Sequence, residues 1–277
     1  MDTDQIMRLA LKLASMRTVP ADSEIHVKGR GIKRVLVAID VGASELLLSR
    51  ELGCDAVIAH HPAGGTAQLE GYKVFRRHVD QLIEAGVPEG SAEAAVASKL
   101  HQLEIQHHSR NYDQTTSAAQ KLRIPLMSIH SPCDEIGRQI MIQAVEGLDT
   151  SAKVSDMVSR LNRLLEYRNA RTKIEVRLGS AKNRLGKLAI SHAAYTNGGY
   201  DVANAYFQHG VDTVSYIHIS DVDLTRLVDE KKGNLVVTGH IASDWLGLNR
   251  LIVELDKNGV DAISTTDLQP ANEIRDC

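Results

Sequence analysis

Short apolar runs alternate with amphipathic stretches along most of the chain. The apolar runs predict strands, and the stretches between them show helical spacing. A strand, a helix and a strand within so few residues form a βαβ unit, which requires a parallel sheet. We therefore predict an α/β fold of two lobes, with mainly parallel or mixed sheets flanked by helices. The predicted strands lie at 34–40, 55–60, 172–178, 185–191, 212–218, 235–240 and 260–264.

The pattern also suggests how the chain divides. Residues 1–128 together with 235–277 are predicted to form a metal-binding lobe, and 129–234 a second, partly basic lobe. The segment 104–113 resembles a short strand that runs into a loop, and 20–30 a loop or sheet edge. Helices are predicted at 4–16, 43–52, 73–85, 91–103, 117–122, 154–168, 201–208, 221–230 and 243–258.

The most informative stretch is 55–62, where an apolar run ends in His60, His61 and Pro62. Proline has no N–H for the sheet ladder and ends the strand. The two histidines therefore stand at the carboxyl end of a strand, where open α/β sheets place their ligands. We interpret the pair as metal ligands.

Two further motifs supply ligand types that could complete the site. His240 follows another strand, and Asp244 comes one helical turn later, so both side chains can face one ion. Asp113 lies in a loop after the predicted strand of 104–113. Imidazoles mixed with carboxylates suit Zn²⁺, Fe²⁺, Mn²⁺, Co²⁺ or Ni²⁺. Five ligands exceed what one open catalytic ion takes, so two ions sharing a carboxylate are the alternative.

Other residues leave alternatives open. Asp40, at the end of the first strand, either orients a histidine or caps a helix. His107 and His108 form a second candidate pair, although no proline follows them. The remaining strand-end histidines are interpreted as ordinary hydrogen-bonded residues: His130, His192, His209 and His218.

Composition narrows the function classes. A net charge of −3 and an aromatic content of 4% give little support for a nucleic-acid surface. Three widely spaced cysteines indicate neither a disulfide framework nor a thiolate zinc site. The chain shows no signal core and no apolar run long enough to span a membrane, so we expect a cytoplasmic protein without a membrane partner. The cysteines are Cys54, Cys133 and Cys277.

The charge is unevenly distributed. Residues 151–190 carry ten lysines and arginines against three acidic residues. This segment is either a solvated face or a positive surface that attracts an anionic ligand.

The motifs together resemble the NGG-interacting-factor-like proteins, a family also described as GTP cyclohydrolase type-2-like. The resemblance extends over most of the chain, and the block that ends in His60, His61 and Pro62 is its most distinctive part. The other matching segments are 38–40, 111–113 and 239–244.

The resemblance implies a dinuclear metal site and a toroidal homohexamer. The implied ligands to two divalent ions per chain are His60, His61, Asp113, His240 and Asp244. The chain departs from the family pattern at two positions. The terminal acid is usually Glu, where this chain has Asp244. The residue four before Asp113 is usually His, where this chain has Ser109, with His108 displaced by one.

Two functions follow as hypotheses. The first is a metal-dependent hydrolase acting on a nucleotide-like or phosphorylated small molecule, with His108 as the candidate for proton transfer. The second is a non-enzymatic, metal-dependent assembly or regulatory protein, in which metal stabilises the fold. A serine or cysteine hydrolase finds no support, because no G-x-S-x-G elbow is present.

Overall fold

The computed structural model describes residues 1–266, so Cys277 and the predicted lobe boundary at 277 lie outside the described residues. The described part contains nine strands in two sheets, with helices around them, which confirms the α/β prediction. The strands are β1 (Glu24–Val27), β2 (Arg34–Ala38), β3 (Ala56–Ala59), β4 (Leu126–Ser128), β5 (Glu175–Leu178), β6 (Leu188–Ile190), β7 (Thr213–Tyr216), β8 (Asn234–Val237) and β9 (Asp261–Ser264).

Helices connect most of these strands, and a 3₁₀ helix spans Gly71–Arg76. Within residues 1–266, no helix combines the length and apolar character needed to cross a bilayer. The α-helices are α1 (Thr3–Leu13), α2 (Ala43–Glu51), α3 (Gly65–Glu70), α4 (Arg77–Glu84), α5 (Glu89–His108), α6 (Gln114–Leu122), α7 (Ser131–Val145), α8 (Val154–Leu161), α9 (Leu165–Asn169), α10 (Gly199–Gln208), α11 (Asp221–Glu230) and α12 (His240–Lys257).

The chain divides into two units. Unit 1 comprises Met1–Val74, Leu103–Ile136 and the described residues from Asp244 onward, and unit 2 comprises Phe75–Gln102 and Gly137–Ser243.

The sheet of unit 1 has the strand order β1-β4-β3-β2-β9. Only β1 runs antiparallel, at the edge beside β4. Successive side chains of a strand point to opposite faces. Accordingly, Val35 and Val37 pack in a core with Trp245 of α12, whereas Leu36 packs on the other side with Leu46 of α2. Both faces of this sheet are therefore covered.

The sheet of unit 2 has the order β5-β8-β7-β6. Strands β6, β7 and β8 are parallel, and β5 pairs antiparallel with β8 at the edge. Both units thus place an antiparallel edge strand beside a parallel set. The strand next to each edge leads into a helix: β4 leads into α7, whose fourth residue is Asp134, and β8 leads into α12, whose fifth residue is Asp244.

The predicted strand in 104–113 is wrong. Helix α5 continues to His108, because Glu, Gln and His all fit a helix and no glycine or proline interrupts the stretch. Asp113 then occupies the N-cap position of α6. His107, His108 and Asp113 therefore do not stand at the end of a strand.

Two other parts of the prediction also differ from the structure. The hydrophobic pattern predicts no element in 123–153, yet β4 and all of α7 lie there. β4 has only three residues, too few for its apolar character to stand out. The single helix predicted at 154–168 is two helices, α8 and α9, which are separated by a turn.

Histidine 78, in unit 2, provides a test of this fold. It is fully buried on α4, where Nε2 donates to the carbonyl of Thr196 and Nδ1 accepts from the Ser191 hydroxyl. Burial lowers the pKa of His78 from 6.5 to about 4. The native state thus holds His78 neutral, and the unfolded state binds the extra proton as the pH falls below 6.5.

We expect the His78 contribution to stability to be complete above pH 6.5 and to decline toward pH 4. The loss at pH 5 should be about 2 kcal/mol in the free energy of unfolding. His78→Gln keeps a donor for Thr196 and cannot titrate, so its stability should change less between pH 7 and pH 5. Urea denaturation at both pH values measures this, with the exposed His101→Gln as control. An equal pH dependence in all three proteins would contradict the prediction.

Candidate metal site

The first two candidate ligands stand at the carboxyl end of β3, as the sequence predicts. The backbone N–H groups of His60 and His61 still donate to β2, at 2.8 Å to Ala38 and 2.9 Å to Ile39. Pro62 follows at once. Both histidines are therefore held by the sheet at the point where the chain leaves it. The His60 side chain is fully buried, whereas that of His61 is 26% exposed.

Two buried carboxylates meet His60. Its Nε2 lies 3.2 Å from a carboxylate oxygen of Asp134 and 3.7 Å from one of Asp244. Asp134 comes from the first turn of α7, and Asp244 from the second turn of α12. All three offer ligand atoms within 4.8 Å of one another.

The two carboxylates govern the charge of these imidazoles. Burial disfavours the charged form of His60, but Asp244 and Asp134 outweigh it and hold the pKa of His60 well above its ordinary value. Burial likewise opposes the charge on His61, and the hydrogen bonds that its ring donates to Asp244 and Asp40 raise the pKa of His61. The cluster thus attracts positive charge, which a proton or a metal ion can supply.

The arrangement at His60 fits a metal ion better than it fits a hydrogen-bonded core. The fully buried Nε2 of His60 faces two carboxylates, at 3.2 and 3.7 Å, without a well-aligned hydrogen bond to either. A buried polar atom left in this way costs about 1–3 kcal/mol. One imidazole between two carboxylates is a donor set that Zn²⁺, Mn²⁺ or Fe²⁺ accepts. We therefore find that His60, Asp134 and Asp244 could hold a cation.

A third imidazole, that of His130, completes a group with His60 and His61. The three ring centroids lie 4.9–5.4 Å apart, and the rings offer nitrogens within 4.8 Å of one another. His130 follows β4 closely, so it too comes from the carboxyl end of a parallel strand. Its Nε2 lies 3.6 Å from a carboxylate oxygen of Asp134.

Two further carboxylates fix the rings of His61 and His130. The Nδ1 of His61 donates to Asp40 at 2.8 Å, and that of His130 donates to Asp22 at 2.9 Å. A carboxylate only accepts, so Nδ1 carries the proton in both rings and Nε2 is left as the ligand atom. Metal-binding histidines commonly have such a partner. Of the two roles considered for Asp40, the structure shows the contact that orients a histidine.

Asp22 is itself held in place. It is fully buried and accepts hydrogen bonds from the hydroxyls of Ser23 and Ser131. The Ser23 hydroxyl also accepts from the backbone N–H of His130, at 3.0 Å. The His130 ring and backbone are thus both fixed by the segment that precedes β1.

The other predicted ligands lie as follows. His240 begins α12, one turn before Asp244, and the two offer ligand atoms within 4.8 Å of each other. Its ring also packs 4.9 Å from that of His218. Asp113 is exposed and belongs to none of the candidate metal groups in residues 1–266, and the same holds for the exposed His108. The structure therefore brings together His60, His61 and Asp244, and it does not bring Asp113 to them.

Sequence reasoning missed Asp134 and assigned His130 an ordinary role. A signal for both was present: His130 and Asp134 have the same spacing as His240 and Asp244. In each case, a histidine follows a strand and an aspartate lies one helical turn later. The spacing was overlooked because the three-residue β4 does not stand out as a strand.

The described cysteines do not contribute a reactive thiolate. Burial raises the pKa of Cys133, which lies beside His60, and burial also raises the pKa of Cys54. A raised pKa keeps a thiol neutral and unreactive at neutral pH.

A close contact between helices brings the two carboxylates together. Gly247 on α12 lies against the backbone of Cys133 on α7, and a Cβ at position 247 would come within 1.8 Å of the Cys133 carbonyl oxygen. Asp244 and Asp134 are one turn and one residue from this contact. Only glycine permits the observed approach.

We expect Gly247→Ala to lower the free energy of unfolding by about 2 kcal/mol or more, because the helices must separate. The folded fraction should also bind less metal than the wild type. Gly90→Ala is the matched control, since a Cβ there meets nothing within 4 Å. Unfolding curves and elemental mass spectrometry measure the two effects. Unchanged stability in Gly247→Ala would contradict the close contact.

Comparisons with known proteins find a solved structure that matches almost the full length of this chain. A NIF3 superfamily protein from Sphaerobacter thermophilus is 47% identical, covers 96% of this chain and 98% of its own, and superimposes with a TM-score of 0.93. No family model matches the sequence, and no curated protein does so either.

More distant structures share the fold. Reduced HcgD from Methanocaldococcus jannaschii is 14% identical, with 95% and 97% coverage of this chain and its own and a TM-score of 0.58. Protein SA1388 of Staphylococcus aureus is 14% identical, with 98% coverage of both chains and a TM-score of 0.55. The full-length match at 47% identity confirms the resemblance drawn from the motifs: the chain belongs to the NIF3 superfamily.

Proposed function

We propose that this protein is a metal-dependent hydrolase, with one or two divalent ions held by the histidines and aspartates at the carboxyl end of the unit 1 sheet. The first ion would be held by His60, Asp134 and Asp244, and His61 and His130 would serve the same or a second ion. His240 stays in the proposed set, because it lies one turn from Asp244. The metal remains one of Zn²⁺, Fe²⁺, Mn²⁺, Co²⁺ or Ni²⁺.

The gradient of exposure across the cluster is the observation that supports an enzyme. The His60 side chain is fully buried, those of Asp134 and Asp244 are 5% and 2% exposed, and that of His61 is 26% exposed. A structural metal site is closed on all sides, whereas a catalytic site keeps one side open to its substrate. The His61 side of the cluster offers such an opening.

The residues of the chain have distinct proposed roles. Asp40 and Asp22 hold the Nδ1 protons of His61 and His130, so that both Nε2 atoms stay available as ligands. The buried carboxylates balance the positive charge of the bound ion. Such an ion supplies Lewis-acid chemistry, which polarises a carbonyl or phosphoryl group and makes hydroxide available near neutral pH. His108 as the proton-transfer group stays a prediction.

The proposed substrate is an anionic, nucleotide-like or phosphorylated small molecule. The GTP cyclohydrolase-like description of the family supports this class, as does the basic segment 151–190, in which every lysine and arginine except Arg160 is exposed. An exposed basic face is also what a solvated surface looks like. The family resemblance further supports a homohexamer, which native mass spectrometry would test.

A pair of variants separates the structure-based ligand set from the set implied by the resemblance. We expect Asp134→Asn to lose at least half of the bound metal, because it removes a buried carboxylate beside His60. Asp113→Asn should keep the wild-type content, because Asp113 is exposed and outside the cluster. Elemental mass spectrometry on untagged protein measures metal per chain, and circular dichroism confirms folding. The opposite result would favour Asp113 as the ligand.

Turnover then decides between an enzyme and the alternative function. The metal-loaded protein and Asp134→Asn should be assayed for hydrolysis of GTP and of a phosphate monoester. Release of product that depends on Asp134 would support the hydrolase. Stoichiometric metal without turnover would favour a metal-dependent assembly or regulatory protein. Absence of metal, even after loading with Zn²⁺, Mn²⁺ or Fe²⁺, would refute both functions.

A further inference from the structure

Unit 2 contains a cavity that the proposed metal chemistry does not use. Its volume is 440 Å³, within the range of small-molecule sites. Every residue that lines it belongs to unit 2. The walls come from α4, from α7 and the turn after it, from β6 and from α10.

Much of the wall is apolar. Ile142, Val145 and Leu148 lie on one part of the lining, and Leu188 and Ile190 of β6 on another. Ile142 is 40% exposed, although it is a large aliphatic side chain. Covering such surface with the apolar body of a ligand is favourable by about 25 cal/mol per Å².

One polar atom in this lining lacks a partner. Gln81 of α4 is 7% exposed, and its Nε2 donates to the carbonyl of His192. Because a carbonyl only accepts, the amide orientation is settled and Oε1 is the remaining atom. Oε1 is buried and makes no hydrogen bond within residues 1–266. An N–H or O–H group of a ligand that comes within hydrogen-bond distance would pair with it.

Two cations also line the cavity. The Lys187 ammonium donates to the carbonyl of Ala85 at 2.6 Å and makes no ion pair within the described residues. The Arg138 Nε donates to the carbonyl of Ile190, and its guanidinium pairs at 3.3 Å with Glu84. The Glu84 side chain is 73% exposed, so solvent screens this ion pair. The exposed Glu146 is the other acid in the lining.

Helix α4 relates the position of the acceptor residue Gln81 to that of the Lys187 charge. Gln81 and Ala85 are four residues apart, so they lie on the same face of α4, separated by one turn. Lys187 bonds to the carbonyl of Ala85, so its charge lies beside the end of α4, beyond the turn that begins at Gln81. A matching ligand therefore has its anionic group and its N–H or O–H donor at different ends.

We propose that this cavity binds a small organic monoanion with an apolar body and an N–H or O–H donor. Gln81 accepts the donor's hydrogen bond, Lys187 and Arg138 bind the anionic group, and the aliphatic wall covers the body. The site is independent of the metal cluster, and its test does not depend on bound metal.

Three aromatic probes separate these contributions on the full-length protein. 4-Hydroxybenzoate carries both the anion and the O–H donor, benzoate lacks the donor, and 4-hydroxybenzyl alcohol lacks the anion. We expect 4-hydroxybenzoate to bind about 5–10 times more tightly than either of the others, measured by isothermal titration and saturation-transfer NMR. No saturable binding of 4-hydroxybenzoate up to roughly 10 mM would overturn the proposal.

Variants then tie the binding to this cavity. In Gln81→Leu, 4-hydroxybenzoate should lose its advantage over benzoate, and in Lys187→Met both anions should bind more weakly. Ile142→Trp should block the cavity and abolish binding, whereas Ile105→Trp, at an isoleucine that is 61% exposed elsewhere, should not. Equal binding by the wild type, Gln81→Leu and Ile142→Trp would show that the probe binds elsewhere and would overturn the proposal. Far-ultraviolet circular dichroism verifies that each variant is folded.

Discussion

The site in unit 1 depends on the burial of opposite charges in a very small volume. His60, Asp134 and Asp244 are each nearly or fully removed from solvent, and carboxylates in that setting cost several kcal/mol each unless a cation compensates them. The two carboxylates favour the protonated form of His60 and so hold its pKa above the ordinary value. A divalent ion would supply more charge and would coordinate one ring nitrogen. This conflict between burial and charge is the reason that the cluster is a candidate metal site.

The surrounding architecture makes this burial feasible. The parallel strands β3 and β4 are followed by histidines at the carboxyl end of the unit 1 sheet. Helices α7 and α12 carry the two aspartates. The helices can approach closely because residue 247 has no side chain. Asp22 and Asp40 then hold two rings by their outer nitrogens. Each candidate ligand is thus positioned by a backbone element and, for two of the histidines, by a second carboxylate.

The two units use one local design twice. In each, an antiparallel edge strand lies beside a parallel set, and the neighbouring strand is followed by a histidine at the start of a helix and an aspartate four residues later. His130 directly precedes α7, which contains Asp134, and α12 begins at His240 and contains Asp244. Gly239, with φ of 102°, makes the turn into α12 in a conformation that favours glycine. The repeated spacing explains how one chain assembles several candidate ligands of similar geometry.

By contrast, the cavity of unit 2 is lined by residues of helices and of β6, and none of the candidate ligands lines it.

The sequence by itself determined the features that rest on local periodicity and on the residues that end a strand. Strand-like runs closed by His60-His61-Pro62 and by His240 were sufficient to predict the α/β class, the ends of β3 and β8, and the family. Tertiary structure decided which acids reach the histidines. Asp113 looked suitable because 104–113 could be interpreted as a strand, but helix α5 continues through that stretch and leaves Asp113 exposed on the surface. Asp134 lies far from His60 in sequence, as Asp22 does from His130, and each pair meets only because β1, β4 and β3 lie side by side in the sheet. Pairing between strands that are far apart along the chain leaves no local trace, so it could be found only in the folded structure.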